Sequence, residues 1–145
     1  MARFALDSSC MVAAVSSWHT RHEVVATAIG ERLDRGEQVI VAGHALAEAY
    51  SVLTRLPAPH RLSAPDAWSL LRVNFAEAAV VTALDGPRYV QLIGEMVELG
   101  VRGGRIYDSI IGACAEQARV AELLTLNARH FDPPPTGVLV VDLSD

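Results

Sequence analysis

A chain of 145 residues with 51% hydrophobic and 20% charged side chains has the makings of one folded domain with a real core, which excludes intrinsic disorder. No apolar run approaches the roughly 18–20 residues a membrane span needs, and the opening MARFALDSS has no signal-type apolar segment, so a cytoplasmic protein is expected. The net charge of −5 argues against gripping nucleic acid by bulk electrostatics. It still admits a nuclease, because divalent ions offset acidic site residues and local Arg patches can hold phosphates. Cys10 and Cys114, with no CxxC pairing, read as buried free thiols. The five histidines are scattered, with no HExxH and no Cys/His cluster, which speaks against structural zinc.

Arg3–Asp7 reads as a short buried strand, and Ser8 and Ser9 offer hydroxyl caps for a helix to about Ser17. The helical spacing of Val25, Ala28, Ile29 and Leu33 predicts a helix over His22–Arg35, ended by Gly36. Gln38–Ala42 is the second strand, and Gly43 starts a helix to about Leu56. PAPHRLSAP is a loop, Asp66–Glu77 a helix, Ala78–Ala83 the third strand and Pro87–Leu99 a helix with Pro in its first turn. Gly100–Arg105 is a flexible basic connector, followed by a small-residue helix over Ile106–Val120. Glu122–Leu126 is the fourth strand, Asn127–Phe131 a short turn, and Val138–Leu143 the fifth strand after a triple-proline break. Short apolar strands alternating with helices imply an α/β fold with a parallel sheet, whose sites form outside the carboxyl ends of its strands.

Acidic residues at Asp7, Glu48 and Asp108 sit among core-type neighbours rather than other charges. Each has a plain alternative. Asp7 ends the run FAL and would serve as a helix cap. Glu48 has Ala45 and Val52 one turn away and would otherwise reach Arg55 or Arg61; unpaired burial there costs several kcal/mol or forces protonation. Asp108 precedes SIIGA and would again be a cap, while Gly112 and Ala113 leave room for close approach of a ligand or another element. Asn127 follows the fourth strand and would offer a neutral oxygen to the same place or start an Asx turn. Thr125 would orient a neighbouring carboxylate. Carboxylates converging at one end of a sheet suggest a divalent metal.

The segments LDSS (6–9), LAEAYSVLTRLP (46–57), GGRIYDSIIGACA (103–115) and LLTLNARHF (123–131) together resemble the signature regions of PIN domains, most closely the VapC-type ribonuclease toxins. The resemblance covers essentially the whole chain, residues 1–145, as a single domain. It implies a three-layer α/β/α sandwich with a central parallel sheet, and an acidic cluster that binds Mg²⁺ or Mn²⁺ and cleaves RNA. Asp7, Glu48 and Asp108 fall on the acidic positions, and Asn127 on a fourth where relatives carry Asp or Asn. Ser9 and Thr125 match supporting positions, and Arg105 lies where a basic group meets a phosphate or an antitoxin carboxylate. Hard oxygen ligands suit these ions, and a metal-activated water would hydrolyse the phosphodiester, leaving 5′-phosphate and 3′-hydroxyl ends. The implied partners are RNA, a cognate VapB-type antitoxin and a second copy in a homodimer, with no membrane. Trp18–Leu33 and Pro57–Pro65 are the expected antitoxin contacts.

A second reading is a catalytically weak RNA- or protein-binding module of the same fold, which only the neutral Asn127 favours. A third, an unrelated α/β phosphohydrolase, expects a second Asp two residues after the first, where this chain has Ser9.

Overall fold

The computed structural model describes residues 2–145. The chain runs β1 (Arg3–Leu6), α1 (Ser8–Val15), α2 (His22–Asp34), β2 (Gln38–Ala42), α3 (Gly43–Arg55), α4 (Ala64–Leu71), β3 (Val80–Thr82), α5 (Gly86–Glu98), α6 (Arg105–Gln117), β4 (Glu122–Thr125) and β5 (Leu139–Asp142). A π turn (Arg72–Ala76) follows α4 and a 3-10 turn (Ala128–His130) follows β4. The five strands form one parallel sheet in the order β3-β2-β1-β4-β5. Parallel neighbours require crossover connections, and α1 packs on α2 and α3, α3 on α4, and α5 on α6. The result is the expected α/β/α sandwich.

The centre of the sheet explains why its strands read as unbroken apolar runs. Phe4, Leu6, Val41, Leu123 and Leu124 are all fully enclosed, because both faces of these strands are covered. Ala5 stands opposite Ile40 on one side and Leu123 on the other. One charged pair joins this interior. Arg32 of α2, buried, donates through Nε and Nη2 to Glu122 at 3.0 and 3.1 Å, and through Nη1 to the Ala28 carbonyl at 2.8 Å. It pins α2 to the start of β4.

Some boundaries differ from the sequence expectation. The first helix stops at Val15 rather than near Ser17. The helix placed at Asp66–Glu77 begins at Ala64, capped by Ser63 Oγ, and gives way at Arg72 to the π turn that carries buried Phe75. Pro65 sits harmlessly in its first turn, where no amide donor is needed. The third strand shrinks to Val80–Thr82, and Val80 and Val81 are 44% and 45% exposed because β3 is a sheet edge. The helix α6 ends at Gln117, not Val120. There Arg119 adopts φ 55°, its amide bonds to the Glu116 carbonyl and Val120 bonds to Ala115, a left-handed stop built without glycine. By contrast, Gly36 closes α2 as expected, with φ 80°.

The strand order reverses at β1, since the chain steps to β2 and β3 on one side and to β4 and β5 on the other. That reversal opens a crevice at the carboxyl ends of β1 and β4. Among the described residues, no helix is long and apolar enough to cross a membrane.

Candidate functional site

Asp7 follows β1 directly and lies in that crevice, 3% exposed. It is also the cap of α1, the plain alternative the sequence offered. Its Oδ1 accepts from Ser9 Oγ at 2.6 Å and from the Cys10 amide at 3.0 Å, and its Oδ2 accepts from Thr125 Oγ1. Each hydroxyl accepts in turn. Ser9 Oγ takes the Leu126 amide at 3.0 Å, and Thr125 Oγ1 takes the Asn127 amide at 2.8 Å. Ser9 and Thr125 therefore lock the carboxylate and tie α1 to the end of β4. Burial nevertheless holds the Asp7 pKa above the ordinary carboxylate range, against the lowering by these donors.

Glu48 comes from the second turn of α3 and Asp108 from the first turn of α6. Neither caps its helix; the caps are Ala42 and Gly104. Desolvation raises both pKa values first. Repulsion from Asp108 and Asp7 then raises Glu48 further, while Asp108 is raised by Asp7 and lowered by His130 and Arg105. The three acids expected from the sequence thus lie close enough to repel one another. Glu48 makes no ion pair with Arg55 or Arg61; Arg61 Nε instead donates to the Leu56 carbonyl. Its neighbour is His44 on the same helix, with Nε2 3.4 Å from Glu48 Oε1. That contact lacks hydrogen-bond geometry, and both atoms are buried without a hydrogen-bond partner. Burial holds the His44 pKa below its ordinary value, which favours the neutral ring.

The remaining expected residues arrive less tightly. Asn127 heads the 3-10 turn and joins the network through its amide, with no side-chain capping bond of the Asx kind. Arg105 is the first residue of α6 and donates to the Arg129 carbonyl at 3.5 Å. Gly112 packs against another element: a Cβ there would meet Pro135 at 3.6 Å and Phe131 at 3.8 Å. Two residues escaped the sequence reading, His44 and His130. The signal for His44 was its i, i+4 spacing to Glu48. His130, with Nδ1 3.7 Å from Asp108 Oδ2, had no comparable signal. Cys10 and Cys114 are free and buried.

The donor set suits a hard divalent cation: carboxylate oxygens, mutual repulsion, and a buried Glu48 oxygen with no partner. Among the described residues, however, no three His, Cys, Asp or Glu side chains stand close enough to hold an ion as they are.

The family model for the PIN domain matches residues 4–133. The chain belongs to the PIN-domain family. This PIN domain is 40% identical over 128 residues to Ribonuclease VapC40 of Mycobacterium tuberculosis, covering 88% of the chain and 89% of the relative. It is 34% identical over 128 residues to Ribonuclease VapC27 of the same organism, covering 88% and 87%. The solved structure of M. tuberculosis VapC20, a sarcin-ricin loop cleaving toxin, superposes on it with TM-score 0.69 at 15% identity, over 93% of this chain and 98% of that one. The toxin–antitoxin complex VapBC2 of Rickettsia felis, solved on a DNA fragment from its promoter, gives TM-score 0.68 at 17% identity, over 97% and 98%. At such identities the structural likeness speaks for the fold.

Proposed function

We propose that this PIN domain is a metal-dependent endoribonuclease toxin, restrained by a cognate VapB-type antitoxin. The observation that carries the reading is that Glu48 and Asp108 lie near enough to Asp7, at the crevice between β1 and β4, to be raised by its charge, with a buried Glu48 oxygen left unpaired. The relatives named ribonucleases support the substrate class, and the neighbouring VapBC complexes support the partner. Asp7, Glu48 and Asp108 would hold Mg²⁺ or Mn²⁺, with Asn127 as a neutral fourth oxygen. A divalent ion there supplies Lewis acidity toward the scissile phosphate and makes water a better nucleophile at neutral pH.

The chain's own residues do the rest. Ser9 and Thr125 fix the Asp7 carboxylate in one orientation, so it needs no reordering when a ligand arrives. Arg105 places a guanidinium beside Asp108, suited to a phosphate of the strand or to an antitoxin carboxylate. A homodimer working in the cytoplasm completes the reading. The two expected contact segments meet where exposed Trp18 stacks on His60 at 4.0 Å, an aromatic surface offered to the antitoxin.

The second reading, a weakly catalytic binding module, draws on the neutral Asn127 and on the lack of a preformed three-donor group. One experiment separates them. Purified protein and Asp7→Ala are incubated with total RNA in Mg²⁺, Mn²⁺ or chelator, and new 5′ ends are mapped. New 5′-phosphate ends made by the parent alone, and lost with chelator, support the nuclease. Identical end profiles for the two proteins reject it.

A further inference from the structure

We propose that the Tyr107 ring is a stacking platform for one base of the RNA strand, set beside the carboxylates; this rests on the ribonuclease reading above. Tyr107 directly precedes Asp108 in the first turn of α6. Its ring stacks on His44 of α3, centroids 5.0 Å apart and planes 22° apart. His44 itself contacts Glu48. The stacked pair therefore bridges the two helices that carry Glu48 and Asp108, on the rim of the site.

The fold does not enclose this ring, which is 48% exposed. A large aromatic group left half in water contributes little to the core, yet its free surface suits a nucleobase. Because α3 and α6 hold the two rings, a base would lose less freedom in docking than it would on a mobile loop. Arg105, two residues earlier, adds a guanidinium for a neighbouring phosphate. Base and phosphate contacts thus come from one helical turn, next to the Asp108 carboxylate. Stacking is tolerant of base identity, so Tyr107 positions the strand without reading its sequence.

The test uses an oligoribonucleotide spanning a mapped cut, intact or with a single abasic nucleotide stepped through the flanking positions. Parent, Tyr107→Leu and Tyr107→Phe are compared with Mn²⁺ present, after melts confirm folding. Tyr107→Leu should raise KM about 5- to 100-fold with kcat little changed, and Tyr107→Phe should stay near the parent. One abasic position should give the parent the same rise and erase its advantage over Tyr107→Leu. A loss in kcat at unchanged KM, or an equal loss on every abasic substrate, overturns the platform and leaves Tyr107 as packing for His44. If the parent cuts no RNA, the ribonuclease reading fails. Oligonucleotide dissociation constants of parent and Tyr107→Leu then decide the platform separately: weaker binding by the variant upholds it and equal constants overturn it.

Discussion

Replacing Thr125 by Val tests the hydrogen-bonded frame around Asp7. The substitution keeps the volume of a fully buried side chain and removes only its hydroxyl. Two bonds disappear: the one donated to Asp7 Oδ2, and the one accepted from the Asn127 amide at 2.8 Å. A hydrogen bond to a charged group contributes about 1.5–3 kcal/mol. The Asn127 amide is only part-buried and finds water in exchange, so it adds little. Where Asp7 is ionised the expected loss is about 2–3 kcal/mol, or about 6–10 °C in melting temperature for a domain of this size. Ser9 and the Cys10 amide still bind the carboxylate, so the protein should fold. The loss should depend on pH. Asp7 already has a raised pKa in the native state, and removing a donor that lowers it raises it further. The penalty is then largest where Asp7 is ionised in both proteins and shrinks as pH falls through their native pKa values. Urea unfolding in chelator, repeated from pH 8 to pH 5, measures this. A melting temperature unchanged at every pH refutes the proposed role of the hydroxyl, and a constant loss at every pH assigns the effect to packing.

Other outcomes probe the acids and the scaffold. The raised native pKa values of Asp7, Glu48 and Asp108 mean that the native state holds protons the unfolded chain has released above its ordinary values of 3.8 and 4.5. Metal-free protein should therefore gain stability as pH falls from neutral through those native values, and Asp108→Asn should flatten that slope in urea titrations. Mg²⁺ or Mn²⁺ should raise the melting temperature of the parent more than that of Asp108→Asn, a variant that should fold yet lose most RNA cleavage; full cleavage by it would sink the site assignment. Arg32→Met leaves Glu122 unpaired, and because Glu122 keeps some solvent contact the loss should be about 2–3 kcal/mol, the low side for a buried pair. Arg32→Met with Glu122→Leu should cost less than the sum of the single changes in the same unfolding assay. Arg119→Gly should add about 0.5–1 kcal/mol to unfolding stability, since glycine accepts the left-handed φ of 55° without strain.

The alternation of apolar runs and helical spacing sufficed for the parallel α/β fold, because strands covered on both faces have no polar side to show. Asp7 was legible for a related reason: an acid ending a buried apolar strand falls on the edge where such folds place sites. Apolar neighbours marked Glu48 and Asp108 as unusual, and the signature segments then grouped them with Asp7. Sequence could not tell edge from centre, and only the strand order placed β3 at the margin, leaving Val80 and Val81 exposed. Nor could it show that α6 stops at a left-handed arginine, since that stop signal is normally glycine. The bond from Thr125 to Asp7 spans 118 residues and depends on the register of β1 against β4. His130 entered only when the 3-10 turn was set beside Asp108, whereas His44 stands four residues before Glu48 on the same helix. Local pattern determined which segments form strands and helices and where acids end them. Tertiary structure decided which side chains share a charge, a hydrogen bond or a ring face, because those distances are fixed by strand order and not by neighbours in the chain.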